Sequence, residues 1–563
     1  MRARRGAGGR GPASGTVEGH GGALAVAAAR AHGIDTMFTL SGGHVFPLYD
    51  GAVGADPALR VIDVRHEQTA VFAAEATAKL TRRPGLAVLT AGPGVTNGIS
   101  AVATAWFNGS PMLVLGGRAP AFRWGSGALQ ELDHPPLLAS ITKRAATVHD
   151  TDRIAAEVDA ALVLANSPHR GPVFLDVPMD VLYDRAEVTL PAAARPAPVL
   201  PDPDLVAEIA DLLVRAARPV LVLGQDVWIG GAEHAARRAA ETIGLPVVAN
   251  GMGRGVLPAG HPLLAGRARV GALGGADLVL VAGAPLDFRL SYGGFGGQGG
   301  GPSARVVHLA DAPPEATPHG HCAVRACGDL SALFDALTAA WERVGRVGMY
   351  REWAAHVRAA ARTAAQSDAP LLAGAGRPIH PARVHGELLR LLDEDAVVIG
   401  DGGDFVSYAG KYIEPARPGG WLDAGPYGCL GTGLGYALGA RLARPSAQVV
   451  LLLGDGAAGF SLMDVDTLVR HRLPVVLIVG NNGCWALEKH PMRMLYGHHV
   501  AADLAPSTRY DDVVRALGGA GETVARPEQI APALRRAFAS GVPYLVNVLT
   551  DPEAVYPRST MGV

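Results

Sequence analysis

The run Val449-Val450-Leu451-Leu452-Leu453 offers no polar residue to either face of a strand, and it stops at Gly454-Asp455-Gly456. A strand that is apolar on both faces must be covered on both, so it belongs inside a parallel sheet with helices above and below. The same plan recurs along the chain. Leu86-Ala87-Val88-Leu89, Val220-Leu221-Val222-Leu223, Leu278-Val279-Leu280-Val281 and Val475-Val476-Leu477-Ile478-Val479 each reach a glycine within three residues. Alanine-rich helical stretches separate them. Strands alternating with helices predict an α/β chain of doubly wound parallel sheets, which gather ligands at the carboxyl ends of their strands.

A chain of 563 residues is too long for one core. Pro- and Gly-rich stretches divide it into three such α/β blocks, at 17–189, 190–346 and 381–563, with a helical link over 347–380. Residues 1–16, with Arg2, Arg4, Arg5 and Arg10 among glycines, read as a disordered tail without the apolar segment of a signal peptide. The formal net charge of −2 gives nucleic acid and anionic membranes no electrostatic hold. No apolar stretch approaches the roughly 18 residues of a membrane span. The cysteines Cys322, Cys327, Cys429 and Cys484 have neither zinc spacing nor the density of a disulfide framework, which points to a reducing cytoplasm.

Residues 457–480, 24 of them, separate Gly454-Asp455-Gly456 from Asn481-Asn482. Each polar group follows an apolar run, so a carboxylate and an amide oxygen are expected at the ends of adjacent strands. Mg²⁺ takes such oxygens and fills its remaining positions with water and phosphate oxygens. A Gly-rich strand-to-helix turn and an Asn-Gly turn are the plainer reading. In the first block, Ile62-Asp63-Val64-Arg65-His66-Glu67 runs from a strand into an alanine-rich helix, which alone would make Glu67 a favourable charge on the helix dipole. Leu86 to Thr90 is followed by Ala91-Gly92-Pro93-Gly94-Val95-Thr96-Asn97-Gly98, a glycine turn that suits a nucleotide loop or a structural turn equally.

Together these segments resemble the thiamine diphosphate enzymes of the acetolactate synthase-like superfamily, over nearly the whole chain. The resemblance implies pyrimidine, central and diphosphate domains in that order. It implies that Glu67 hydrogen-bonds N1′ of the aminopyrimidine, for which it must hold or share a proton. Gly43, Thr90 and Asn97 fall on the pyrimidine side, and Gly402, Gly403, Asp404, Gly454, Gly456 and Ala457 on the diphosphate side. Asp455, the side chain of Asn482 and the carbonyl of Cys484 correspond to Mg²⁺ ligands. Leu430, in Asp423-Ala424-Gly425-Pro426-Tyr427-Gly428-Cys429-Leu430, corresponds to the apolar residue beneath the cofactor, with an ordinary core leucine as its plain alternative. Gly400-Asp401-Gly402-Gly403-Asp404 is expected just after a strand over 396–399. In this family Glu67 of one subunit faces the Asp455 site of another, which implies a homodimer or homotetramer. In the central domain, Gly224, Asn250-Gly251-Met252-Gly253, residues 283–289 and Asp311 match positions that hold the ADP part of CoA, free ADP or FAD. Arg289 suits a phosphate there, or an ion pair with Asp287 or Asp311. The glycine-rich stretch 293–301 reads as a mobile loop.

For the reaction, Leu40-Ser41-Gly42-Gly43-His44, Gly127-Ala128-Leu129-Gln130-Glu131 and Cys484-Trp485-Ala486-Leu487-Glu488 matter most. Acetolactate synthases typically carry Phe where this chain has Leu129, and a Gln- and Trp-rich helix after the Asn pair. The three segments are more similar to the 2-hydroxyacyl-CoA lyase branch. The expected activity is therefore cleavage of a 2-hydroxyacyl-CoA to formyl-CoA and an aldehyde or ketone, with condensation of two 2-oxo acids as the alternative. His44, Gln130 and Glu488 are the candidates to move protons. The plain alternatives are a satisfied turn histidine and a first-turn helix carboxylate. A nicotinamide dehydrogenase would need a Gly-x-Gly-x-x-Gly fingerprint that the first strand-helix turn lacks.

Overall fold

The computed structural model describes residues 15–194, 197–298, 303–313 and 322–557. The chain divides into two compact units, Met1–Pro196 and Ala197–Val563. In the first, six parallel strands lie in the order Arg60–Asp63, Thr36–Thr39, Gly85–Leu89, Met112–Arg118, Pro172–Pro178, Ala145–Thr147. Gly85–Leu89, Met112–Arg118 and Pro172–Pro178 are buried at every position, as strands apolar on both faces must be. Thr16–His20 pairs antiparallel with Arg185–Thr189. The ordered block therefore begins inside the segment expected as a tail, and residues 1–14 lie outside those described.

The second unit holds two further parallel sheets. One runs Val247–Ala249, Pro219–Leu223, Leu278–Ala282, Arg305–Ala310, Cys322–Cys327. The other runs Trp421–Asp423, Val397–Asp401, Val449–Gly454, Val476–Asn481, Tyr544–Leu549, Ala520–Val524. The strand expected to stop at Ile399 continues through Gly400 and Asp401, because both pair in register with Leu452 and Leu453. The helix Arg351–Leu372 leads from the central sheet to the third. Near its start Trp353 Nε1 donates to the carbonyl of Pro219 at 3.0 Å, and near its end Asp368 takes Arg267 at 2.9 Å and Lys411 at 2.6 Å. In the glycine-rich stretch, Gly296 bridges to Ser303 and donates its N–H to Leu273, while residues 299–302 lie outside those described. Among the described residues no helix is long and apolar enough to cross a membrane.

Candidate active site

In the first unit His66 caps the helix Glu67–Thr81 through Nδ1, which accepts the N–H of Gln68 at 3.3 Å. Glu67 thus opens that helix, with only 7% of its surface exposed. Its Oε2 accepts a hydrogen bond from Asn97 Nδ2 at 3.0 Å, on the helix Pro93–Phe107. Oε1 takes none from the described residues and is the atom left for a ligand. A methyl group on Gly94 would lie 2.6 Å from Thr90 Cγ2 and 3.8 Å from that Oε1. Glycine there keeps the space beside Thr90, Asn97 and Glu67 open, while Gly43 faces open space.

His44 is buried beside the same turn. Its Nε2 lies 3.2 Å from the Leu129 carbonyl, which only accepts, so Nε2 carries the hydrogen and Nδ1 accepts the Thr90 hydroxyl at 3.3 Å. Burial pushes the imidazole pKa down, against the Leu129 hydrogen bond that raises it. His44 is thus neutral, and both its nitrogens are engaged. Gln130 sits at φ +59°, a left-handed conformation that costs a side-chain-bearing residue about 1–3 kcal/mol. The neighbouring Glu131 closes the loop by accepting the N–H groups of Gly125 and Ala128 at 3.1 and 3.2 Å. The Gln130 amide makes no hydrogen bond to the described residues.

Behind this turn lies a buried network that spacing along the chain did not reveal. His134 Nε2 accepts the N–H of Gly92 at 2.9 Å, and Nδ1 donates to Asp176 at 2.8 Å. Asp176 also takes Arg118 at 2.9 Å. His134 and Asp176 are wholly buried, so this chain fixes the positive-φ turn at Gly92 on which Thr90, Gly94 and Asn97 depend. The only sequence signal was an aspartate inside the otherwise apolar strand Pro172–Pro178.

In the second unit the register Gly454 to Gly480 brings Asp455 and Asn481-Asn482 to adjacent strand ends. Asp455 Oδ1 accepts the N–H of Gly456 at 3.1 Å and Oδ2 that of Gly483 at 2.7 Å. Burial outweighs those bonds and lifts the carboxyl to about 6. Asn482 Oδ1 accepts the N–H of Cys484 at 3.1 Å. Asn481 instead holds the loop, donating to the Thr508 carbonyl and Asn547 at 3.1 and 3.2 Å. Burial pushes the Cys484 thiol up to about 11, so sulfur stays protonated and the backbone carbonyl is this residue's oxygen donor.

Around them the turns meet closely. A methyl on Gly402, at φ +127°, would lie 3.0 Å from the N of Gly454, and one on Gly403 2.7 Å from Leu487. Asp404 and Ala457 are buried at the starts of their helices. Asp401, unremarked in the sequence beyond its turn, accepts the N–H groups of Gly431 and Gly433 at 3.2 and 2.8 Å and so anchors the start of the helix Thr432–Ala443. Burial lifts its carboxyl to about 7. Leu430, just before that helix, is half-buried and is not an ordinary core leucine. Glu488 is exposed in the first turn of the helix Ala486–Tyr496.

Comparison with known proteins decides the family. Residues 19–137 match the description "Thiamine pyrophosphate enzyme, N-terminal TPP binding domain", 206–337 the central domain and 401–548 the C-terminal TPP binding domain. The chain belongs to the thiamine pyrophosphate enzymes. Among curated members, the acetolactate synthase large subunit IlvG of Mycobacterium tuberculosis is 51% identical over 96% of this chain and 97% of its own. The 2-hydroxyacyl-CoA lyase 2 of Caenorhabditis elegans is 35% identical over 90% of this chain and 84% of its own, and that of Homo sapiens 34% over 94% and 90%. The order of readings drawn from Leu129 and the helix after the Asn pair is therefore reversed, because the relative with higher identity across the full length bears the synthase name.

This thiamine pyrophosphate enzyme fits its cofactor on three local observations: the free Oε1 of Glu67, the glycine turns at 402–403 and 454–456, and the oxygen donors at Asp455, Asn482 and Cys484. Arg289 is bound to Asp287 through Nε and Nη2, at 2.7 Å for the shorter contact, which is the first of its two expected ion pairs. Gly224 packs against Gly283, where a methyl would fall 2.2 Å from the carbonyl oxygen.

Proposed function

We propose that the enzyme is a carboligase of the acetolactate synthase type, joining two 2-oxo acids with release of CO₂ and using Mg²⁺ beside thiamine diphosphate. The observation that carries this reading is the 51% identity to an acetolactate synthase across 96% of the chain. Bound thiamine diphosphate supplies a nucleophilic carbon and takes up the electron pair released when CO₂ leaves. Glu67 offers Oε1 to the aminopyrimidine N1′ while Asn97 fixes Oε2, so its proton sits at one defined atom. Asp455, Asn482 and the Cys484 carbonyl would hold Mg²⁺, which would supply charge to neutralise the diphosphate. Gly402, Gly403, Asp404, Gly454, Gly456 and Ala457 would receive that diphosphate, and Leu430 would offer the cofactor an apolar support. Gln130, with its amide free, orients the second 2-oxo acid, and His44 pins the Gln130 loop through Leu129. Glu488 is a weaker candidate for proton transfer because of its exposure. The functional molecule is a homodimer or a pair of dimers.

Lyase chemistry on a 2-hydroxyacyl-CoA is the second reading, favoured by relatives at 34–35% identity and by Gly-Gly-His at 42–44 with Leu129-Gln130. One paired assay separates them. Purified protein with thiamine diphosphate and Mg²⁺ is given pyruvate, and in parallel a short 2-hydroxyacyl-CoA, with Glu67→Gln as control. Acetolactate formation lost in the variant supports the synthase. Formyl-CoA without acetolactate overturns it in favour of the lyase, and product in neither arm overturns both.

A further inference from the structure

Glycines at 271, 274 and 275 interrupt the short helix Arg269–Gly275, where each costs about 0.8–1 kcal/mol relative to alanine. Gly275 is explained by packing, since a methyl there would lie 3.3 Å from the Trp353 ring. Gly271 is not, because a methyl there meets nothing within 4 Å. It faces a cavity of about 490 Å³ between this helix and the helix Arg351–Leu372. The cavity lies at the amino ends of the central strands, since Arg218 immediately precedes Pro219–Leu223 and Ala276 precedes Leu278–Ala282. The glycine turns at Gly224 and Gly283 stand at the opposite, carboxyl ends.

Its lining has a polarity. The floor is apolar, with Ala272, Ala276 and Val357 buried. On one side lie the rings of Trp353 and His356, stacked on each other with 5.6 Å between centroids and 15° between planes. At the rim Arg218 Nε donates to the carbonyl of Gly275 at 2.6 Å, which orients the guanidinium, and neither Nη donates to a described residue. An oriented guanidinium with both Nη groups free is the fork that binds a carboxylate bidentately. The volume lies in the range of small-molecule sites.

We propose that this cavity is a second ligand site, separate from the thiamine site, for a small planar carboxylate: the ring against Trp353 and His356, the carboxylate on Arg218. The test is calorimetric titration of the full-length protein, loaded with thiamine diphosphate and Mg²⁺, with 2-naphthoate and its neutral isostere 2-naphthamide. One naphthoate per chain is expected, with the amide and Arg218→Gln each weaker by roughly tenfold or more, the loss of one charge-assisted pair. Gly271→Leu should abolish binding, and Ala360→Phe, which fills the cavity from the other helix, should do the same if the first variant folds poorly. Absence of naphthoate binding, equal binding of the amide, or binding unchanged in both filled variants overturns the proposal.

Discussion

Glu67 divides its carboxyl between a fixed partner, Asn97, and a free oxygen, and the consequences separate cleanly by residue. Glu67→Gln should lower kcat by about 10²–10⁴ through loss of proton transfer while leaving the melting temperature within about 2 °C, as steady-state kinetics beside thermal melts will show. Asp455, with its carboxyl near 6, must lose its proton to bind a cation, so Mg²⁺ affinity measured by calorimetry should fall about tenfold per pH unit below 6. Asp401 carries a stability signature of opposite sense to an ion-paired aspartate. Its folded pKa of about 7 lies above the unfolded value of about 3.9, so it contributes stability below about pH 4 that is lost as pH rises through 7. Melting temperatures of cofactor-free protein should decline between about pH 4 and 7, and Asp401→Asn should flatten that decline; parallel curves for the two proteins would sink the assignment. The places of Glu67 at a helix start and of Asp455 and Asn482 at adjacent strand ends were legible because their neighbours along the chain announce them. His134, Asp176 and Asp401 were not, since each acts on a group 30 or more positions away: His134 and Asp401 on backbone N–H groups, Asp176 on the side chains of His134 and Arg118.

At the scale of elements, the strands read well wherever burial leaves both faces apolar, as in Val449–Gly454 and Val476–Asn481. They read poorly where pairing alone makes the strand. Thr16–His20 exists because Arg185–Thr189 lies beside it, and nothing local in Thr-Val-Glu-Gly-His announces that. Asp401 joins its strand for a similar reason, its register with Leu453. The turns are where elements meet the cofactor, and their glycines are stringent. Gly402→Ala would force a side chain into φ +127° with a methyl 3.0 Å from the Gly454 N; the displaced turn should weaken thiamine diphosphate binding about tenfold or more, read by activity against cofactor concentration. His134→Ala should destabilise the first unit by about 1–3 kcal/mol, because it leaves the Gly92 N–H buried without a partner and Asp176 Oδ2 with Arg118 alone. Denaturant midpoints measure it.

For the whole molecule, the proposed dimer draws Glu67 and Asp455 of one site from different subunits. Co-expressing Glu67→Gln with Asp455→Asn chains should then recover up to about a quarter of wild-type activity, since half the dimers are mixed and one site in each is intact; inactive mixtures would argue against a shared site. The legible part of the molecule was its plan of three parallel sheets and a thiamine site. The choice of reaction was not legible, because it turns on a few loop residues such as Leu129, whose influence on substrate depends on neighbours that spacing does not specify. The helix Arg351–Leu372 bears on a different matter, the making of chimeras. Its Asp368 is buried, with Arg267 beside the central sheet and Lys411 beside the third as its counter-ions. A junction near 197, between the two compact units, leaves that triad whole. A junction near 346 that brings in a foreign central sheet removes Arg267 from a buried carboxylate, so the central and catalytic sheets of this chain are inherited together or not at all.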